Sequence, residues 1–259
     1  MRQSTSIHHP RLIGFLAILF CLPAPVADAA ETDRLLLSGM LPLRSQGERE
    51  WDEFPESVGN SSLELTFLAD PAVEWTLQIR RQDVKQFWDI LLNGHKLGRF
   101  ERDENSQVAT FSLPAEQLLA ATNRLRIQPV NHRGSDDIWV GDIRLIPRLK
   151  SELLNEATLH VEVIDASSLA TKIPARITVV TADGSLAPLG NVSQPGLAVR
   201  NGVLYSLSGE VDVKVPAGDY IVYASRGMEW AVDEKKITAV AGESVDVPLR
   251  LLRDVSTSG

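Results

Sequence analysis

The residues best placed to do chemistry are few. His160 and Glu162 are separated by one residue inside an alternating apolar run, so both side chains lie on one wet strand face. Two such donors hold a metal only if two more ligands converge on them, and no nearby residue supplies those by spacing. Asp136 and Asp137 are adjacent carboxylates of the kind that could serve calcium. Neighbouring strand residues point to opposite faces, so the pair could act together only from a loop. Trp88 and Trp139 could stack on sugar rings, although aromatics in sandwich strands are more often core. His95 follows a hairpin glycine and His132 lies in a polar loop; neither has a partner at ligand spacing. No G-x-G-x-x-G, P-loop, G-x-S-x-G or H-E-x-x-H motif occurs, and no Ser-His-Asp set stands out. No position is therefore assigned a catalytic, cofactor-binding or metal-ligating role, and no cofactor is expected.

The start of the chain reads as an export signal. Arg2, His8, His9 and Arg11 precede an apolar run from Leu12 to Leu22, and Ala27-Asp28-Ala29 is an A-x-A cleavage pattern. Residues 1–29 are expected to be removed, which implies a periplasmic or extracellular protein. Cys21 would suit a lipoprotein, but bulky Phe20 stands where a lipobox has a small residue. Cys21 is the single cysteine and lies within the leader, so no disulfide is expected to staple the mature chain. Asn60-Ser61-Ser62 and Asn191-Val192-Ser193 match the glycosylation sequon, which matters only in a eukaryotic secretory host.

Removing Arg2, Arg11 and Asp28 with the leader takes 26 basic and 34 acidic residues to 24 and 33. That acidic balance argues against nucleic acid and anionic membranes as partners. No later segment has the ~20 apolar residues of a transmembrane helix.

The elements that must position any site are strands. Leu63, Leu65 and Phe67, then Val73, Trp75, Leu77 and Ile79, alternate with polar residues, the period of a half-buried strand. Short strands are expected at Leu35–Leu37 and Met40–Leu43, with Trp51 and Phe54 docking on an edge. Phe87–Leu92 and His95–Phe100 flank Asn93-Gly94, a type I′ hairpin signal. Val108–Leu113, Arg124–Pro129 and Ile138–Ile146 follow, with a helical turn at Pro114–Ala120 and a bulge at Gly141.

Residues 149–155 form a linker, and alternation returns at Leu159, Val161 and Val163. Ile177–Val180, Val203–Leu207, Glu210–Val215, Tyr220–Ala224, Lys235–Val240 and Val245–Leu251 are further strands. Val203–Leu207 is expected to pair with Glu210–Val215, and Val211–Val215 to form a hairpin with Tyr220–Ala224. Pro248 suits an edge strand. Residues 185–202 read as a long loop, a binding loop or a mobile edge. The expected fold is all-β: a signal peptide, a sandwich over 31–148, a second over 156–252 and a disordered tail over 253–259.

Two resemblances add to this reading. Trp88-Asp89-Ile90-Leu91-Leu92-Asn93-Gly94-His95-Lys96-Leu97-Gly98, with Phe111–Pro114, Leu118, Asn123–Ile127 and Asp136–Val140, resembles galactose-binding-like jelly rolls over about residues 60–147. Val161–Asp165, Pro174–Val179, Asp183-Gly184 and Val215–Tyr220 resemble the carboxypeptidase-regulatory-like, transthyretin-type sandwich. In that fold the P-x-G-x-Y turn is structural, the tyrosine packing back on the sandwich. Arg226-Gly227-Met228-Glu229-Trp230 resembles a segment of exported proteins in which this sandwich precedes a PHP-type metallohydrolase of the CehA/McbA kind. Arg226 and Glu229 match that segment and are expected to form a structural ion pair or else, as the resemblance implies, to face the domain that follows in the family. The D-x-H-x-H stretch that opens the family's metal site does not occur here, so its catalytic residues carry over to no position. The resemblance implies either a non-catalytic exported protein binding a glycan or a protein, or the accessory N-terminal part of a metal-dependent hydrolase. A hydrolase complete in this chain would need convergent ligands that the spacing does not provide.

Overall fold

The computed structural model describes residues 32–130, 134–168 and 171–255. The proposed leader with Cys21, His132, and residues 256–259 of the tail lie outside them.

Alternating apolar residues pair across the first sandwich in two four-stranded sheets. One is formed by β1 (Arg34–Arg44), β3 (Trp75–Gln82), β6 (Gln107–Leu113) and β8 (Asp137–Ile146), in the order β1-β8-β3-β6. The other contains β2 (Leu63–Leu68), β4 (Trp88–Leu92), β5 (His95–Arg99) and β7 (Thr122–Pro129), in the order β2-β7-β4-β5. Their inward faces meet in a core that includes Trp75, Leu77, Ile79, Trp88, Ile90, Ile127 and Val140. Asn93 and Gly94 have φ of 51° and 86°, the left-handed pair that a type I′ turn requires. The expected helical turn is a single 3-10 turn, Ala115–Gln117. Trp51 and Phe54 dock as the sequence suggests: Phe54 is buried, edge-on to both Trp51 and Trp139.

The two short strands expected before residue 44 are one strand with register shifts. A further shift lies between Gln78 and Arg80 where β3 meets β8. Gly141 sits at this bulge. A Cβ there would lie 1.8 Å from the Gly39 carbonyl oxygen, so only glycine allows the approach.

After α1 (Lys150–Leu153), a single helical turn, the second sandwich comprises β9 (Ala157–Asp165), β10 (Ala175–Thr181), β11 (Leu197–Arg200), β12 (Val203–Ser206), β13 (Glu210–Val215), β14 (Gly218–Ser225), β15 (Asp233–Ala239) and β16 (Ser244–Leu251). Its sheets run β11-β12-β10-β14-β15 and β13-β9-β16. Leu159, Val161, Val163, Val222, Val247 and Leu249 belong to its separate core. β16 pairs in parallel with β9, while every other named strand pair is antiparallel. Pro248 stands on that edge strand, where the amide it lacks leaves no gap in the ladder.

Three expectations are corrected. β12 pairs with β10 and β11, not with β13. β13 pairs with β9, and β14 with β10 and β15, so Val211–Val215 and Tyr220–Ala224 lie in opposite sheets. Pro216 and Ala217 thus arch between layers instead of closing a hairpin. Alternation identifies the buried face of a strand but not its neighbour, which is why the sequence misplaces these partners. Tyr220 locks the arch: its ring is buried and its hydroxyl donates to the Pro216 carbonyl at 2.9 Å. Finally, the loop over 185–202 ends in β11, which adds an edge strand to the larger sheet.

Candidate functional site between the two sandwiches

The carboxylates singled out by sequence are structural. Asp136 and Asp137 are both 0 % exposed. Asp136 accepts from Trp88 Nε1 at 2.6 Å and from the backbone N–H groups of Lys85 and Gln86. Burial pushes its carboxyl above the usual range, against the pull of these hydrogen bonds. Asp137 pairs with Arg44 Nε at 2.6 Å and accepts from the Glu50 amide at 2.7 Å. Arg44 also donates to the carbonyls of Pro55 and Glu56. Every oxygen of the pair has a protein donor, so the carboxylates tie strands and loops together.

Trp88 is 0 % exposed and presents no face to a sugar; Trp139 is half-buried and packs on Phe54. His95 is exposed at the start of β5. The expected Arg226–Glu229 pair does not form. Arg226 donates to the Pro174 carbonyl and lies over the Trp230 ring, while Glu229 accepts from Arg253 at 2.6 Å. The bridge between Trp230 and Arg253 brings that partner close, a non-local pairing that residue spacing does not show.

The two donors missing beside His160 and Glu162 come from β13. The β9–β13 register sets Glu210 opposite Glu162 and Asp212 opposite His160. His160 Nδ1 is 2.8 Å from Asp212 Oδ1, and Nε2 is 3.5 Å from Glu210 and 3.7 Å from Glu162. His160, Glu162 and Glu210 offer ligand atoms within 4.8 Å of one another. Between the two glutamates, however, lies the Lys172 ammonium, 2.7 Å from Glu162 and 2.6 Å from Glu210. The cluster thus supplies its own cation. The hydrogen bond to Asp212 raises the His160 pKa, and the hydrogen bond to Lys172 lowers that of Glu162. A half-exposed ion network on a strand face is the chemistry this arrangement supports.

A different place concentrates polar groups around open space. The Asp183-Gly184 turn of the second sandwich docks on the first. Leu186 N donates to Ser106 O at 2.8 Å and Val108 N to Leu186 O at 3.1 Å, a short backbone bridge across the two modules. Ser106 and Ser185 hydroxyls meet at 2.8 Å, and Arg80 pairs with Asp183 at 3.2 Å. Asp183 also accepts from Thr181 and Ser185 N; although burial pushes its carboxyl up, these bonds and Arg80 together hold it below the usual carboxylate range.

Beside this junction opens a cleft of about 990 Å³. β6 and the β5 end form one wall, α1 the rim, and the segment from Pro188 to Asn201 the other wall. Gln107 links the sides: its Oε1 accepts from Arg81 Nη2 at 2.7 Å and from Asn201 Nδ2 at 3.3 Å. Asn201 is carried by the two-residue turn between β11 and β12, where Gly202 has φ of 66°. Asn191 is fixed in turn, accepting from Lys214 N at 2.7 Å and donating to Asp212 O at 2.8 Å. Amide, hydroxyl and guanidinium groups line the cleft together with apolar Phe111, Leu189 and Val199. Of the lining residues, motifs contain only Asn191-Val192-Ser193, as a sequon, and Phe111-Ser112, within the jelly-roll resemblance. The long segment 185–202 was the signal, together with Asn201-Gly202, the same dipeptide type as Asn93-Gly94.

No family model matches the chain, and no curated protein matches it. Among solved structures it is similar to a Lactobacillus rhamnosus β-glucuronidase, 12% identical over 80% of this chain and 44% of that one, with a TM-score of 0.30. It is likewise similar to the Bacillus anthracis TIE protein, 11% identical over 83% of this chain and 41% of that one, TM-score 0.27. A group B streptococcus pilus 2b backbone protein is 11% identical over 74% of this chain and 93% of that one, TM-score 0.29. The chain spans less than half the length of the first two. Among the described residues no helix is long and apolar enough to cross a membrane.

Proposed function

We propose that this is an exported binding module that takes a carbohydrate in the cleft between its two sandwiches. The observation that carries the reading is the cleft itself, about 990 Å³ in volume. That is room for a ligand of two or three sugar rings, at the upper end of ordinary ligand pockets. Saccharides present hydroxyls, which need fixed amide and guanidinium partners, and C–H faces, which need apolar surface. Asn155, Asn191 and Asn201 supply the first and Phe111, Leu189 and Val199 the second. The backbone bridge between Leu186 and β6 supports a preformed site, which lowers the ordering cost of binding. The resemblance of both sandwiches to accessory modules, and the leader, support export and a binding role. The same reading serves a module acting alone or one attached to a larger metal-dependent hydrolase.

A glycan array on residues 30–259 tests this. Binding of a discrete set of glycans, lost in Asn201→Ala and Phe111→Ala but kept in His160→Ala, is expected. Binding indifferent to the cleft substitutions, or none at all, overturns the assignment.

A further inference from the structure

The charge of the cleft is opposite to that of the chain. Arg81, Arg99, Lys150 and Arg200 line it against a single carboxylate, Glu101, in a protein of net charge −8. Arg99 is neutralised by Asp89 at 2.7 Å. Lys150 and Arg200 have no carboxylate partner among the described residues.

Arg81 is the more telling group. Its side chain is 1 % exposed, and no carboxylate lies within ion-pair distance of it among the described residues. The guanidinium donates to a backbone carbonyl, Asp103 O, at 2.6 Å and to the neutral Gln107 Oε1. Its Nε is buried with no hydrogen-bond partner, and so is Thr110 Oγ1 of the same lining. A buried cation with no carboxylate in direct contact is costly to keep: desolvation lowers its pKa, and the more distant charges of Asp103 and Glu101 offset that only in part. Elsewhere this sequence compensates a buried guanidinium fully, as Asp137 does for Arg44. Further negative charge can reach Arg81 from the open cleft that it lines.

We infer that the ligand is an anionic saccharide, whose acidic group enters the cleft between Arg200 and Lys150 and is held by the field of buried Arg81. This rests on the carbohydrate reading above and narrows it. Carboxylate and sulfate share the recognition chemistry, since both accept from guanidinium groups. Gln107 touches both Arg81 and Asn201, so a ligand on the Asn201 amide lies one side chain from the guanidinium, close enough to feel its charge through space.

Isothermal titration separates the possibilities. Probes are tri-galacturonate, galactotriose and a sulfated disaccharide from heparin, with the protein of residues 30–259. Expected is tri-galacturonate or the sulfated sugar bound at least tenfold more tightly than galactotriose. That preference should fall by about tenfold in Arg200→Ala and in Lys150→Ala, two variants on the cleft surface that leave the cores untouched. Which anionic probe binds tells carboxylate from sulfate. Equal binding of galactotriose, abolished by Asn201→Ala, overturns the anionic assignment and leaves the carbohydrate site standing. Anionic binding unchanged in both cationic variants places the ligand outside the cleft and overturns the inference, and binding of no probe overturns it together with the carbohydrate reading. Because Arg81→Met could disturb folding, its melting curve is recorded beside its titration; a folded variant that retains the full anionic preference also refutes the role of Arg81.

Discussion

Two buried guanidinium groups in the first sandwich have opposite surroundings. Arg44 meets the carboxylate of Asp137 at 2.6 Å and two backbone carbonyls, so its charge and its donors are satisfied. Arg81, as deeply buried, has one carbonyl, one neutral amide oxygen and an unpartnered Nε, and it stands beside an open cleft. A compensated charge stapling a strand to its loops is architecture. A guanidinium with no contacting carboxylate, beside an open cleft, is the feature on which the proposed anion site rests. The Asp136–Asp137 pair, first weighed as a metal site, belongs to the architecture. Burial and hydrogen-bond partners decide between the two roles, not residue type.

Four substitutions or conditions break or sharpen that contrast. The largest effect is expected for Asp137→Ala, which strands the Arg44 guanidinium and should cost about 3 to 5 kcal/mol in urea unfolding. A cost under about 1 kcal/mol would mean that the pair is not a staple. Arg81→Met should cost less, about 1 to 2 kcal/mol, because it removes a buried charge with no contacting carboxylate together with two hydrogen bonds; a loss equal to that of Asp137→Ala would make Arg81 as structural as Arg44. Tyr220→Phe removes one buried hydroxyl bond to Pro216 O and should cost about 1 kcal/mol, with the arch between sheets retained. The smallest effect concerns the surface network. His160 has a raised pKa in the folded state, first through its hydrogen bond to Asp212. Its contribution to stability is therefore fully present below its ordinary value of 6.5 and is lost as pH rises through the raised folded value. Melting temperatures of the wild type and His160→Gln, measured from pH 5 to 9, should differ most at the acidic end. Parallel curves would show that His160 does not titrate against its carboxylates.

Much of the fold could be read from local pattern. Alternation at Leu63–Phe67 and Leu159–Val163, the Asn93-Gly94 turn, the bulge at Gly141 and the edge position of Pro248 all follow from properties of single strands or turns. What could not be read is pairing. The opposition of Glu210 to Glu162 depends on β13 crossing to β9, fifty residues away in the chain, and the Val211–Tyr220 stretch looks like a hairpin until its strands are seen in different sheets. The cleft is invisible for the same reason. Arg81 and Gln107 come from the first sandwich and Asn191 and Asn201 from the second, so no local motif contains them. Its trace in the sequence is the long segment over 185–202, with the Asn201-Gly202 turn at its end.

The anionic-saccharide proposal stands or falls with the cleft between the sandwiches. Backbone amide spectra of ¹⁵N-labelled residues 30–259, recorded during titration with tri-galacturonate and with the sulfated heparin disaccharide, test it most directly. The account predicts saturable shifts with at least one of them, concentrated at Gln107, Ser112, Asn155, Asn191 and Asn201 and absent around His160 and Asp136. Shifts confined to other surfaces, or none with either anion, would contradict it.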